Sequence, residues 1–123
     1  MLPEEDEEFL KEKGYAYREA VENGFTHVII SDFSFPEAYT PRQAEMLIRL
    51  PPLYPKAQPD MFWTRPNVKL TSGAWPLASA TMENYLELPW QRWSRHWQHA
   101  WRPSIDGLRT FIASIIRELS RGR

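Results

Sequence analysis

The turn at Asn23-Gly24 constrains the fold more than any other feature of the sequence. Asn-Gly between two apolar runs is a strong signal for a tight β-hairpin, because both residues tolerate the left-handed backbone that such a turn needs. The flanking runs, Tyr15–Val21 and Phe25–Phe33, are rich in strand-forming residues. The sheet is therefore predicted to begin as an antiparallel pair.

Two further runs extend this sheet. Ala44–Leu50 and Pro59–Thr64 predict a third and a fourth strand, separated by a rigid proline turn at Pro51–Pro55. Four sequential strands with short connections favour an antiparallel meander. The sequence shows neither the alternating strand–helix rhythm of a parallel sheet nor a glycine-rich phosphate loop.

Helices are predicted at both ends of the chain. Pro3–Lys13 carries a run of acidic residues in its first turn, where the helix dipole favours negative charge. A second, amphipathic helix is predicted from an N-cap at Ser104 to about Arg121. A short helix is also expected at Met82–Leu88. These elements give the α+β class in a single domain that spans residues 1–123.

Composition excludes several functions. The chain has no cysteine, which rules out disulfides, thiolate metal sites and thiol nucleophiles. A formal net charge of −1 argues against nucleic acid as the main partner. The sequence has no apolar run of membrane-spanning length, and its acidic start does not resemble a signal peptide. A cytoplasmic protein without a membrane partner, a bound metal or a cofactor is expected.

Several motifs resemble those of the ubiquitin-conjugating-enzyme superfamily. Residues 50–55, LPPLYP, and 58–62, QPDMF, resemble the proline-rich and aromatic signature around two strands of that fold. Thr64–Val68 resembles the His-Pro-Asn motif that follows, with Arg65 in the place of the histidine. Trp101–Ser104 resembles the Trp-Ser-Pro start of the next helix.

More narrowly, the chain resembles prokaryotic family E of that superfamily. The matching segments are LPEEDEEFLKEKGY, PDMFW, WQRWSRH and WRPSIDGLR, which together extend over nearly the whole chain. The resemblance implies a UBC-like fold with an N-terminal helix, a four-stranded meander, an irregular active-site region and a C-terminal helix. It also implies a bacterial conjugation pathway, with a ubiquitin-like protein and an activating-enzyme-like protein as partners. Some such operons are linked to phage defence.

The resemblance also implies a cysteine that carries the modifier as a thioester, and this chain has none. Counting back from the Trp-Arg-Pro motif places the corresponding position at Ser94, whereas counting forward from Asn67 places it near Ser72. An insertion over residues 75–88 reconciles the two positions. Ser94 is the favoured nucleophile because it lies within WQRWSRH, and Ser72 or Ser79 is the next candidate.

A serine hydroxyl needs an adjacent general base, because it is far less acidic than a thiol. His96 is the first candidate for that base and His99 the second. If residues 90–100 form a helix, Ser94 and His96 diverge by about 200° around its axis and the tryptophans form a packing stripe. The two side chains can meet only if the segment is irregular.

The remaining candidates for oxyanion stabilisation and modifier binding either lie near Ser94 in the sequence or match positions of the family's motifs. Arginines can stabilise an oxyanion or bind acidic groups of the modifier. Asn67 matches the motif asparagine that donates to the tetrahedral intermediate in the related enzymes. The expected binding residues are Arg92, Arg95, Arg65 and Trp93. The predicted product is a serine oxyester that is then transferred to an amine.

Other functions remain open from the sequence alone. A non-catalytic adaptor that binds a ubiquitin-like protein or its activating enzyme is the main alternative, since the cysteine is missing. His96 and His99 have the i, i+3 spacing of a zinc-binding pair, although no third ligand is evident. Trp63, Trp75 and the tryptophan-rich stretch 90–103 would favour a peptide-binding module if they were exposed.

Overall fold

A computed structural model describes residues 2–97 and 99–123. In chain order its elements are α1 (Glu4–Glu12), β1 (Tyr17–Glu22), β2 (Phe25–Ser34), β3 (Tyr39–Thr40), β4 (Gln43–Leu50), β5 (Phe62–Arg65), β6 (Lys69–Leu70), β7 (Thr81–Tyr85), β8 (Leu88–Trp93) and α2 (Leu108–Leu119). Six strands form one sheet in the order β1-β2-β4-β5-β8-β7, in which every neighbouring pair is antiparallel, and β3 pairs with β6. The predicted α+β, UBC-like fold is confirmed.

The sheet has two more strands than the predicted meander because the helix expected at Met82–Leu88 is wrong. This segment forms β7, a two-residue turn and the start of β8. The turn residues Leu86 and Glu87 have φ angles of 54° and 63°, the same left-handed backbone as Asn23 and Gly24 in the confirmed β1–β2 turn. The second turn carries neither asparagine nor glycine, so it has no hairpin signal of its own.

The helical alternative for residues 90–100 is also wrong. Trp90 and Trp93 belong to β8, and the described residues that follow are not helical. Side chains alternate across a strand, so these two tryptophans lie on opposite faces of the sheet. Trp93 joins the main core beneath the helices, whereas Trp90 packs with Ile29, Leu47 and Trp63 on the other face.

The main core lies between the two helices and one face of the sheet. Its buried residues from α2 include Phe111, Ile112 and Ile115. This helix begins at Leu108 rather than near Ser104, because the carboxylate of Asp106 accepts a hydrogen bond from the backbone N–H of Arg102 at 2.8 Å and closes a turn there.

A buried polar network joins the β5–β6 loop to β8. The Gln91 side chain is fully buried, and its Oε1 accepts hydrogen bonds from Thr64 Oγ1 at 3.0 Å and from the backbone N–H of Val68 at 2.6 Å. Its Nε2 donates to the Val68 carbonyl at 2.9 Å, and Trp93 Nε1 donates to Thr64 Oγ1. Since every partner is satisfied, the network fixes the loop that carries the Asn67 motif.

Candidate functional site

A cleft of about 530 Å³ lies where β8 ends beside α2. Its apolar wall includes Phe62, Trp97 and Phe111, and the rings of Trp97 and Phe111 stack with their centroids 5.9 Å apart. Ser94, the first residue after β8, lines this cleft. The end of the strand and the buried face of the last helix therefore define the site together.

Ser94 is held by its backbone rather than by its side chain. Its N–H donates to the Ala78 carbonyl at 2.9 Å, which ties it to the loop before β7. The residue is half-buried. Among the described residues, no group makes a hydrogen bond with its hydroxyl. Ser94 is thus fixed beside the cleft through its backbone.

His96 lines the same cleft and pairs with an acidic residue. Its Nδ1 lies 2.8 Å from Oδ1 of Asp60, a residue of the loop before β5. A carboxylate accepts hydrogen bonds, so Nδ1 is the donor in this pair. Asp60 therefore orients this imidazole.

The irregular backbone after β8 brings the serine and the histidines to one side. The N–H of Arg95 donates to the Trp93 carbonyl at 2.8 Å, which makes a tight turn immediately after the strand. As a result Ser94, His96 and His99 all line the cleft. The exposed His99 ring meets Trp97 edge-on, with centroids 6.4 Å apart.

Arg95 lines the cleft, but its guanidinium group makes hydrogen bonds that stabilise the fold. Only 7 % of its side chain is exposed, and the guanidinium lies 4.9 Å from the Trp93 ring centroid. Nε and Nη2 donate to the Leu77 carbonyl at 3.2 and 3.0 Å, and Nη2 also donates to the Arg123 carbonyl. These contacts hold together the segments on both sides of the cleft.

The other sequence-predicted residues do not line the cleft. Arg92 forms an ion pair with Glu83 at 2.9 Å, and Arg65 lies 3.5 Å from the Glu45 carboxylate. Asn67 is exposed in the β5–β6 loop. Trp93 has no exposed surface, which corrects its assignment as a binding residue, since a fully buried ring can contact no partner.

The pattern of prokaryotic E2 family E matches residues 2–122 of the sequence. The chain belongs to this family. E2 proteins are ubiquitin-conjugating enzymes, so membership supports a ubiquitin-conjugating-enzyme-like role and implies interaction with a ubiquitin-like modifier and an activating enzyme. Comparison with curated proteins and with solved structures gave no match.

The alternative serines of this family E protein have other surroundings. Ser79 is buried, and its hydroxyl donates to the Pro76 carbonyl at 2.7 Å. Ser72 is exposed in a turn, where its Oγ accepts from the Ala74 N–H at 3.4 Å. Neither residue is among those that line the cleft, whereas Ser94, His96 and His99 all line it.

Two general properties of the family E protein bear on its function. Within residues 2–97 and 99–123, no three histidine or acidic side chains lie close enough together to hold a metal ion. Across the same part of the chain, no helix has the length and apolarity needed to cross a membrane.

Asp60 is the residue of this site that sequence reasoning missed. It lies 36 positions before His96, and nothing in the sequence indicates that the two side chains meet. The available signal was its place in the PDMFW motif, where an acidic residue lies two positions before a buried strand. Polar residues that flank a strand often reach a site at the edge of a sheet.

Proposed function

We propose that this family E protein accepts the C-terminal acyl group of a ubiquitin-like modifier on Ser94 as an oxyester and transfers it to an amine. The observation that carries the proposal is one cleft lined by a serine hydroxyl and by a histidine whose Nδ1 is held by a carboxylate. Nucleophile, base and orienting acid are the three roles that hydroxyl acylation requires.

The first half-reaction moves the acyl group from the activating enzyme to this protein. Ser94 Oγ attacks the acyl carbonyl carbon while Nε2 of His96 takes the hydroxyl proton. The bond between that carbon and its carrier then breaks, and the leaving group receives the proton from His96. The carboxylate of Asp60 stabilises the imidazolium that forms between these steps.

The second half-reaction regenerates the serine. An amine attacks the ester carbonyl, and His96 takes a proton from its nitrogen as the carbon–nitrogen bond forms. The carbon–Oγ bond then breaks, and His96 returns that proton to Oγ. His99 is the second candidate base because it lines the same cleft. The oxyanion-donor role expected of Asn67 stays a prediction, since this residue lies outside the cleft. A link of the pathway to phage defence also stays a prediction.

A non-catalytic adaptor is the second candidate function. It is favoured by the complete absence of cysteine and by the ion pairs that occupy Arg92 and Arg65. An adaptor would bind the modifier or the activating enzyme without forming a covalent bond to either. Covalent capture of the modifier therefore separates the two functions.

The test is an adduct assay with the purified protein, its activating enzyme, the modifier and ATP. We expect an adduct that survives thiol reductant and is cleaved by hydroxylamine. Ser94→Ala should lose the adduct while it still binds the modifier, and Ser72→Ala, an exposed serine outside the cleft, should keep it. Absence of an adduct where binding is demonstrated would establish the adaptor.

A further inference from the structure

The cleft beside Ser94 has a positive rim that acyl transfer does not use. Arg117 and Arg121 both line it, both are exposed, and neither forms an ion pair with any described residue. The other two arginines of the rim differ in this respect. Arg95 and Arg123 share the carboxylate of Glu118, at 3.8 and 3.6 Å.

The last helix positions these two arginines along the chain. Arg117 lies in the last turn of α2 and Arg121 follows four positions later, where the N–H of Arg121 still donates to the Glu118 carbonyl at 3.2 Å. Side chains four residues apart on a helix lie next to each other. The rim therefore carries two guanidinium groups at the end of this helix, each of which matches the geometry of a carboxylate.

The cleft has an apolar wall, so a ligand that fills it needs an apolar group. Trp97 and Phe111 form a stacked aromatic wall, and Ile115 and Leu77 complete the apolar lining. The volume of about 530 Å³ is within the range of ligand pockets. A ligand that packs against the apolar wall and pairs with the arginines of the rim needs an apolar or aromatic group flanked by negative charge.

We propose that the cleft binds a peptide segment of a partner protein that carries Asp or Glu side chains beside an apolar residue. The carboxylates pair with Arg117 and Arg121, and the apolar side chain packs against Trp97 and Phe111. This inference goes beyond the acyl transfer and holds equally for an adaptor, because it does not involve the hydroxyl of Ser94.

A nucleic acid fits the same surface less well. Backbone recognition of nucleic acid relies on many cations along an extended surface. Here two arginines flank a cleft with an apolar wall, and the whole chain carries a formal net charge of −1. A short acidic peptide requires only the contacts that the cleft supplies.

Fluorescence anisotropy with a labelled acidic peptide, GSEFELEGS, tests this proposal. At low salt we expect it to bind about tenfold more tightly than the uncharged peptide GSQFQLQGS, with the preference shrinking as salt is added. Arg117→Gln with Arg121→Gln should remove the preference. Lys11→Gln with Lys13→Gln, which removes the same charge from the exposed end of α1, should leave it intact.

Several outcomes would overturn the proposal. These are equal binding of the two peptides, no binding of the acidic peptide at low salt, or an unchanged preference in the double arginine variant. An equal loss in the lysine variant would show a general charge effect instead. Tighter binding of a labelled oligothymidine with the same charge as the acidic peptide would replace the peptide with nucleic acid.

Discussion

The carboxylate of Asp6, in the first helix, caps the last helix of the chain. Its Oδ1 accepts a hydrogen bond from the backbone N–H of Leu108 at 3.1 Å, and its Oδ2 accepts one from the Tyr54 hydroxyl at 2.6 Å. The N-cap residue of α2 is Gly107, which has no side chain with which to cap the helix itself. The helix that forms one wall of the cleft is thus anchored by a residue 102 positions earlier.

Asp6→Ala is expected to lower the free energy of unfolding by about 2 kcal/mol, because the Leu108 N–H and the Tyr54 hydroxyl lose their buried acceptor. Burial is the largest influence on this carboxyl and raises the pKa of Asp6, although both hydrogen bonds act in the opposite direction. Ionisation therefore opposes folding as the pH rises through the raised pKa. Urea denaturation at neutral pH provides the measurement.

Two variants control this prediction. Asp6→Asn keeps an acceptor for Leu108 and cannot ionise, so it should retain most of the stability at neutral pH. Glu5→Ala, on the exposed side of the same helix turn, should change the free energy of unfolding by less than about 0.5 kcal/mol. Equal losses in Asp6→Ala and Glu5→Ala would contradict the capping role.

Gln91→Leu should be among the most destabilising substitutions of the sheet. It leaves the backbone N–H of Val68 and the hydroxyl of Thr64 buried without their partner, which costs about 2–4 kcal/mol. Gln43→Leu, at an exposed strand position, serves as the matched control and should have little effect. Similar urea midpoints for the two variants would refute this account of the network.

His27 makes stability depend on pH. Its Nδ1–H donates to the Ala20 carbonyl and its Nε2 accepts from Nε of Arg49, each at 3.2 Å, so the ring is neutral. Burial is the main effect that lowers the pKa of His27, and the charge of Arg49 acts in the same direction. The unfolded chain takes up a proton below about pH 6.5 while the folded one resists it, so stability should fall as the pH drops below that value.

Urea denaturation at pH 7.5 and 5.5 measures this dependence. His27→Gln, which can donate and accept but cannot be protonated, should reduce the loss of stability between the two pH values. His99→Gln, at an exposed position, should lose as much stability as the wild type. If His27→Gln and the wild type lose the same free energy of unfolding between the two pH values, other groups cause the pH dependence.

Asp60→Asn tests whether the pair with His96 matters for chemistry. The amide oxygen can still accept from Nδ1, but the negative charge that stabilises the imidazolium is gone. The rate of adduct formation should fall about tenfold or more, with the thermal midpoint and the affinity for the modifier unchanged. Asp32→Asn, an exposed acid of β2, should react at the wild-type rate. A wild-type rate for Asp60→Asn would remove this acid from the mechanism.

The sequence predicted the features that depend on local chemistry. Asn23-Gly24 specified its own turn, because those residues suit the left-handed backbone. Leu86 and Glu87 adopt the same backbone under the influence of their surroundings, including a hydrogen bond from the Leu86 N–H to the Glu22 carboxylate at 3.1 Å. A turn imposed by such distant contacts leaves no local signal, which is why a helix was predicted there.

The same contrast between local sequence signals and distant contacts applies to the candidate site. Ser94 and His96 were found because they lie together in one motif, and they could face one cleft only once the helical alternative for their segment was excluded. Asp6 belongs to an acidic run that the helix dipole alone explains, although its partner Leu108 lies 102 positions away. Asp60 was missed for the same physical reason, since pairs distant in sequence meet only through the packing of the whole fold.

The most direct measurement of the central claim is the chemistry of the bond at position 94. The wild-type adduct with the modifier should resist thiol reductant, because an oxyester does not exchange readily with thiols. Ser94→Cys changes one atom and should form an adduct that reductant cleaves, because its linkage is a thioester. If the two adducts respond identically to reductant, or if the wild type forms none, Ser94 does not carry the modifier.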